Sequence, residues 1–256
     1  MNTAFKRTFL STLVVPFALG VQSASAAMIE NWTFNVDSNF SNEMYTGSNG
    51  FQTDTSATVG TDNLLEWGSD TDTNERSSVS ITDVGGALTT GGPSVAGGVF
   101  SHENTSISDD FDTLQSFDLT STLTLVPAVP GGIPALTFSS TFVETPNTGV
   151  GCCDDIFTLG DPTNNGFSPI EGEDGFQLSQ MFEIDGYSYT VFLELRDLVA
   201  LGGGEFGLRT VEGETTEFNT FVRIEAKEVP EPGTLALLGL GLAGLGLSRR
   251  RKAAKA

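Results

Sequence analysis

The feature that most constrains this chain is a strict alternation of apolar and polar residues, repeated along most of its length. Tyr187, Tyr189, Val191, Leu193 and Leu195 fall at every second position. Successive side chains of an extended strand point to opposite faces, so this run builds a strand with one buried face. The same period recurs at Trp32, Phe34 and Val36, at Val79 and Ile81, and at Phe117, Leu119, Leu123 and Leu125. It recurs again at Leu136, Phe138 and Phe142, at Phe176, Leu178, Phe182 and Ile184, and at Thr220, Val222 and Ile224. Thr, Val and Phe, which suit a pleated and half-buried surface, are frequent in these runs. Glycine pairs at Gly85-Gly86, Gly91-Gly92, Gly97-Gly98 and Gly131-Gly132, and the triplet Gly202 to Gly204, read as turns or bulges. No long helical pattern interrupts the runs, so the predicted fold is all-β, an antiparallel β-sandwich that is jelly-roll-like. The stretch from Ser38 to Asn63, rich in Ser, Thr, Asn and Gly, is either a long loop or a pair of weak edge strands.

The two ends of the chain follow other rules. Lys6 and Arg7 precede an apolar run from Phe9 to Val21, and Ala24-Ser25-Ala26 is a small-x-small cleavage site. Residues 1–26 therefore read as a secretory signal peptide that hands the chain to the Sec translocon and is cut after Ala26. At the other end, residues 229–256 begin with Val229-Pro230-Glu231-Pro232-Gly233, continue as an uncharged apolar run from Thr234 to Leu247, and reach Arg249, Arg250, Arg251 and Lys252. As a transmembrane helix rising ~1.5 Å per residue, the apolar run is only ~21 Å long, short of a ~30 Å hydrocarbon core. It spans with the help of snorkelling basic side chains and local bilayer thinning. The prolines keep regular structure from running into it, and the basic cluster stays cytoplasmic, so residues 27–228 form one exported domain on the other side.

That C-terminal order, a Pro-Glu-Pro motif followed by a short helix and an Arg cluster, resembles the PEP-CTERM sorting signal of Gram-negative bacteria. In that family the signal is recognised by a membrane protease, exosortase. The resemblance implies cutting near Pro230, Glu231 and Pro232 after a transient stay in the inner membrane. It also implies transfer to the outer surface or to an extracellular, exopolysaccharide-containing biofilm matrix.

All 33 acidic residues lie between Ala27 and Pro232, against five bases, Arg76, Arg196, Arg209, Arg223 and Lys227. A field of this sign repels nucleic acid and anionic lipid, excludes nucleic-acid binding and favours attraction of cations. Calcium is the metal such a surface would take, because a hard cation prefers oxygen ligands. Asp70, Asp72 and Asn74 alternate as an EF-hand loop begins, without the glycine and glutamate that complete one, and Asp154 and Asp155 crowd a second acidic segment. Solvated turn carboxylates are the expected reading of both segments.

His102 is the only histidine, within Ser101-His102-Glu103-Asn104. With no second histidine for zinc and no serine nucleophile elbow, an imidazole that holds a loop by hydrogen bonds is expected over a catalytic one. Ser-His-Glu-Asn after Gly-Gly-Val-Phe is similar to the central motif of the THxN family of PEP-CTERM proteins, with Ser101 in the threonine position. Trp67-Gly68, the segment Phe142 to Asn147, and Cys153-Asp154-Asp155-Ile156-Phe157 extend the likeness. It implies a secreted, surface-associated β domain and carries no activity with it. Cys152 and Cys153 are the only cysteines. As neighbours they could close a vicinal disulfide, remain thiols or link to another chain, and a locally constrained turn is the expected role.

Three functional readings follow. The first is a non-enzymatic structural or adhesive β domain on an exported protein, needing no cofactor. The second is a calcium-dependent, lectin-like carbohydrate-binding module, which would want exposed aromatics, with Tyr45, Trp67, Tyr187 and Tyr189 as candidates. The third is a hydrolase that pairs Glu103 with Glu144 or Asp155.

Overall fold

The structure, a computed structural model, describes residues 27–55, 62–145, 153–171, 174–229 and 240–242. The expected signal peptide lies outside them, as do the C-terminal residues beyond Val229 other than 240–242. In chain order the strands are β1 (Asn31–Tyr45), β2 (Phe51–Thr55), β3 (Asp62–Gly68), β4 (Arg76–Thr82), β5 (Val84–Thr89), β6 (Val95–Glu103), β7 (Leu114–Val126) and β8 (Leu136–Val143). There follow β9 (Asp154–Gly160), β10 (Ser168–Pro169), β11 (Gly175–Ile184), β12 (Tyr187–Arg196), β13 (Val199–Gly202), β14 (Glu205–Val211) and β15 (Thr215–Glu228). They form a seven-stranded sheet, β13-β14-β9-β8-β7-β1-β5, and an eight-stranded sheet, β10-β11-β12-β15-β6-β4-β3-β2. The predicted antiparallel, all-β architecture is present, and its two sheets pack face to face. The chain changes sheet at β1–β2, β4–β5, β5–β6, β6–β7, β9–β10, β12–β13 and β14–β15, so the layers are interleaved rather than laid down one after the other.

The alternation sets the register. Trp32, Phe34, Val36, Ser38 and Phe40 of β1 all face inward, and Phe34, Val36 and Phe40 lie opposite Leu125, Leu123 and Leu119 of β7. A one-residue slip would turn each of these side chains to solvent, so pairing and burial enforce one another. Where it is described, the stretch from Ser38 to Asn63 is mostly strand and not one long loop, and only β2 within it is an edge strand. β1 continues through a register shift after Ser41, where Asn42 has a positive φ of 58°, and β2 is an edge strand on β3. Gly85-Gly86 lies inside β5 instead of in a turn, because the Phe34 ring packs there and a Cβ on Gly86 would approach it to 2.9 Å. Gly97-Gly98 lies in β6 beside a register shift against Thr220 and Phe221, the expected bulge.

Two apolar clusters fill the interior. Phe100 stacks on Phe157 at 4.4 Å and on Phe218 at 4.9 Å, joining the two sheets in one cluster. The second is built on Trp32 and Tyr189, which meet edge to face at 5.1 Å. Edge-to-face and offset-stacked rings add to the stabilisation from area burial alone.

Candidate functional site

Near one end of the first cluster the interior turns polar. β6 carries His102 inward, and Asn104 follows two residues on, so strand alternation buries these two while Glu103 faces solvent and Ser101 is half-exposed. His102 Nδ1 shares a hydrogen bond of 2.7 Å with Thr210 Oγ1 of β14, which ties one sheet to the other. Its ring lies parallel to Trp67 and edge-on to Phe142. Its Nε2 makes no hydrogen bond and stands 3.9 Å from Asp155 Oδ2. Asn104 Nδ2 donates to the Thr210 carbonyl at 2.9 Å.

Asp155 belongs to a group of three interacting carboxyls, with Glu144 and Glu212, and is the one that approaches the imidazole. Asp155 Oδ1 accepts from the Thr145 backbone N–H at 2.9 Å, and Glu144 Oε2 accepts from Trp67 Nε1 at 3.3 Å. Glu212 presents a buried Oε1 from the turn after β14. Burial raises the Glu144 carboxyl far above its ordinary range, and the charge of Asp155 raises it further. Burial also raises Asp155, against the lowering effect of the Thr145 hydrogen bond, with the charge of Glu212 adding to the rise. The interaction between the two carboxyls raises Glu144 and lowers Asp155, so of the pair Glu144 is the one favoured to hold a proton. Burial lowers His102 to about 3, so the imidazole is neutral at physiological pH. Burial thus favours the protonated form of both carboxyls and the neutral form of the histidine.

The sequence candidates are distributed unevenly around this centre. His102, Asn104, Glu144 and Asp155 come together, with Trp67 stacked against them, whereas Glu103 lines an outer polar groove beside Glu66, Arg76 and Asn74. Asp154 and Asp155 are neighbours on β9 and so face opposite ways, Asp154 lying 3.7 Å from Arg209 on the surface. Asp72 caps the short 3-10 turn Thr73–Glu75 by accepting from the Asn74 backbone, and Asp70 is exposed. Among the described residues, no three His, Cys, Asp or Glu side chains are placed to hold a metal ion. Trp67 and Tyr189 are fully buried, which removes two of the aromatics that a glycan platform would use. Cys153 is disulfide-bonded, and Cys152 lies outside the described residues. Thr210 and Glu212 carried no signal in the sequence, because only the β9–β14 pairing brings β14 and its following turn to the histidine.

The second functional element begins where the domain ends. β15 stops at Glu228, and the Val229 N–H donates to the Gly186 carbonyl in the β11–β12 turn at 2.9 Å, so the chain leaves the sandwich from that corner. Residues 228–252 match the family described as the PEP-CTERM protein-sorting motif. The chain carries a PEP-CTERM sorting signal. That signal implies export and processing by exosortase. A comparison with curated proteins gives no match. Pro230, Glu231, Pro232 and the basic cluster Arg249 to Lys252 lie outside the described residues, as do Ala24 and Ala26. Among the described residues, no helix is long and apolar enough to cross a membrane.

Proposed function

We propose that this protein is an exported surface or extracellular-matrix component whose β domain, a jelly-roll-like sandwich, has a structural or adhesive role and no enzymatic one. The observation that carries the reading is the PEP-CTERM match at residues 228–252, directly after the last strand of a folded domain. Sec-dependent export and signal-peptide removal after Ala26 precede a brief stay in the inner membrane. Exosortase then cuts near Pro230 to Pro232, and the domain passes to the cell surface or to exopolysaccharide. The non-enzymatic part is supported by the burial of His102 and Asp155, 0% and 1% exposed. A general acid or base must come within hydrogen-bond reach of its substrate, whereas His102 joins the two sheets through Thr210 and Asp155 holds the Thr145 backbone beyond β8.

The test is the intact mass and cell fraction of the native protein in cells with and without exosortase. A species that begins near Ala27 and ends between Pro230 and Gly233, found outside the inner membrane only when exosortase is present, is expected. An intact tail in the inner membrane of both strains would overturn the proposal.

A further inference from the structure

Four inward-facing rows share one interruption. The row of β1 reads Val36, Ser38, Phe40, and that of β7 reads Leu119, Ser121, Leu123. In β11 it reads Leu178, Gln180, Phe182, and in β15 Phe218, Thr220, Val222. Each row replaces a large apolar residue with a polar one, and in β1 and β7 the replacement is a serine. All four interruptions line the same cavity of about 140 Å³, which lies between the two core clusters. The aliphatic and phenylalanine side chains around it carry no charge, and no charged residue lines it.

The cavity meets solvent where both sheets present an edge. β10 pairs only with Phe176 and Gln177, leaving the rest of β11 without a neighbour on that side, and β9 pairs only with the last three residues of β8. The rim there is made by half-exposed Leu136 and Leu178 and by exposed Pro134. Three of the four polar groups are already committed. Ser38 and Ser121 share a hydrogen bond of 2.9 Å, and Thr220 Oγ1 donates to the Gly98 carbonyl at 3.1 Å. The fourth, half-exposed Gln180, makes no side-chain hydrogen bond among the described residues, so the mouth carries one donor and one acceptor that are free to meet a ligand.

We propose that this cavity binds a small neutral molecule with an apolar body the size of one ring and a single uncharged hydrogen-bonding group. The body lies between the clusters and the polar group meets Gln180. The size argument is general: a dry apolar cavity of about 150 Å³ takes up benzene. A charged group is excluded because its burial would find no countercharge in the lining, and a hydroxyl or carbonyl would complete the Gln180 carboxamide.

Binding is tested by ligand-observed fluorine NMR on the full-length protein in lipid nanodiscs, with empty nanodiscs as the blank. The probes are 4-fluorobenzyl alcohol, 4-fluorotoluene and 4-fluorobenzoate. The alcohol should bind above the blank, about three- to tenfold more tightly than the toluene, the range expected of one net hydrogen bond. The benzoate should not bind. Gln180→Leu should bring the alcohol down to the level of the toluene, and Ser121→Leu, by filling the cavity, should remove binding of both. No binding of the alcohol to the unaltered protein, or benzoate binding as tight as that of the alcohol, would overturn the proposal. So would binding that neither substitution changes. Should Ser121→Leu fail to fold, Gln180→Leu at the half-exposed mouth still decides.

Discussion

Two of the places where this domain buries a carboxylate deal with its charge in opposite ways. Glu194 lies on the outer face of the eight-stranded sheet and is only 2% exposed. Arg196 Nη2 donates to it at 2.6 Å, Arg223 Nε at 2.9 Å and Ser94 Oγ at 3.1 Å. Burial pulls its carboxyl upward, but the hydrogen bonds from the arginines and Ser94 outweigh burial and leave it below the usual range. Among the described residues Asp155 and Glu144 have no arginine in their cluster, and burial pushes both carboxyls toward the protonated form. The chain has five bases between its two ends, and two of them serve Glu194. Where the scarce cations go decides which buried acid stays ionised. The consequence is a contrast in pH dependence. A carboxyl whose folded pKa is depressed contributes stability above its unfolded value and loses it as pH falls through the folded one, so the Glu194 centre weakens in acid. A carboxyl whose folded pKa is raised contributes stability below its unfolded value and loses it as pH rises through the folded one, so the Glu144–Asp155 centre weakens toward alkaline pH.

The strongest way to break this contrast is to take a cation from Glu194. Arg223→Ala removes a hydrogen bond and also the guanidinium stacked 3.5 Å over Phe192. With Arg196 still in place, the loss should be about 2–3 kcal/mol in urea denaturation at neutral pH, less than a wholly unpaired buried charge would cost. A loss below that expected for an exposed pair would mean that solvent, and not the arginines, neutralises Glu194.

The contrast sharpens at the other centre. Glu144→Gln keeps an acceptor for Trp67 and a donor for Asp155, but has no proton to lose. Near pH 8.5 it should gain about 1–2 kcal/mol over the unaltered protein, and near pH 4, where the carboxyl is mostly protonated in the folded and the unfolded chain alike, the gain should vanish. Denaturation curves at both pH values measure this, and a gain of equal size at both would rule out deprotonation of Glu144 as its source. The smallest effect belongs to the surface. Arg209→Ala breaks a half-exposed pair at 3.7 Å from Asp154, and its change in stability should stay within about 0.5 kcal/mol and shrink further in salt.

Much of this architecture was legible residue by residue. The inward rows of β1, β7, β8, β11, β12 and β15 were read from alternation alone, because a period of two has a single structural consequence wherever one face is buried. His102 is hydrogen-bonded and completely buried, but its partner Thr210 lies on β14, so it ties strand to strand instead of holding a loop. The proposed pairing of Glu103 with Glu144 or Asp155 does not occur, since Glu103 lies one position out of phase with His102 and Asn104 and so faces outward. Alternation within β6 could have found that. No local signal could have placed Thr210 and Glu212 beside the histidine, because their approach depends on which strands of the seven-stranded sheet are neighbours.

By itself, then, the sequence determined two things about this protein: the antiparallel β architecture of its domain and the sorting signal at its end. Both are written in local order, the first as a period of two and the second as a motif, an apolar run and a basic cluster in succession. Only the tertiary structure decided that Glu144 and Asp155 are buried against one another, that Glu194 takes two arginines, and that four interrupted rows meet in one cavity. Burial, electrostatic coupling and empty volume depend on side chains brought together from strands far apart in the chain, and sequence distance carries no information about that meeting.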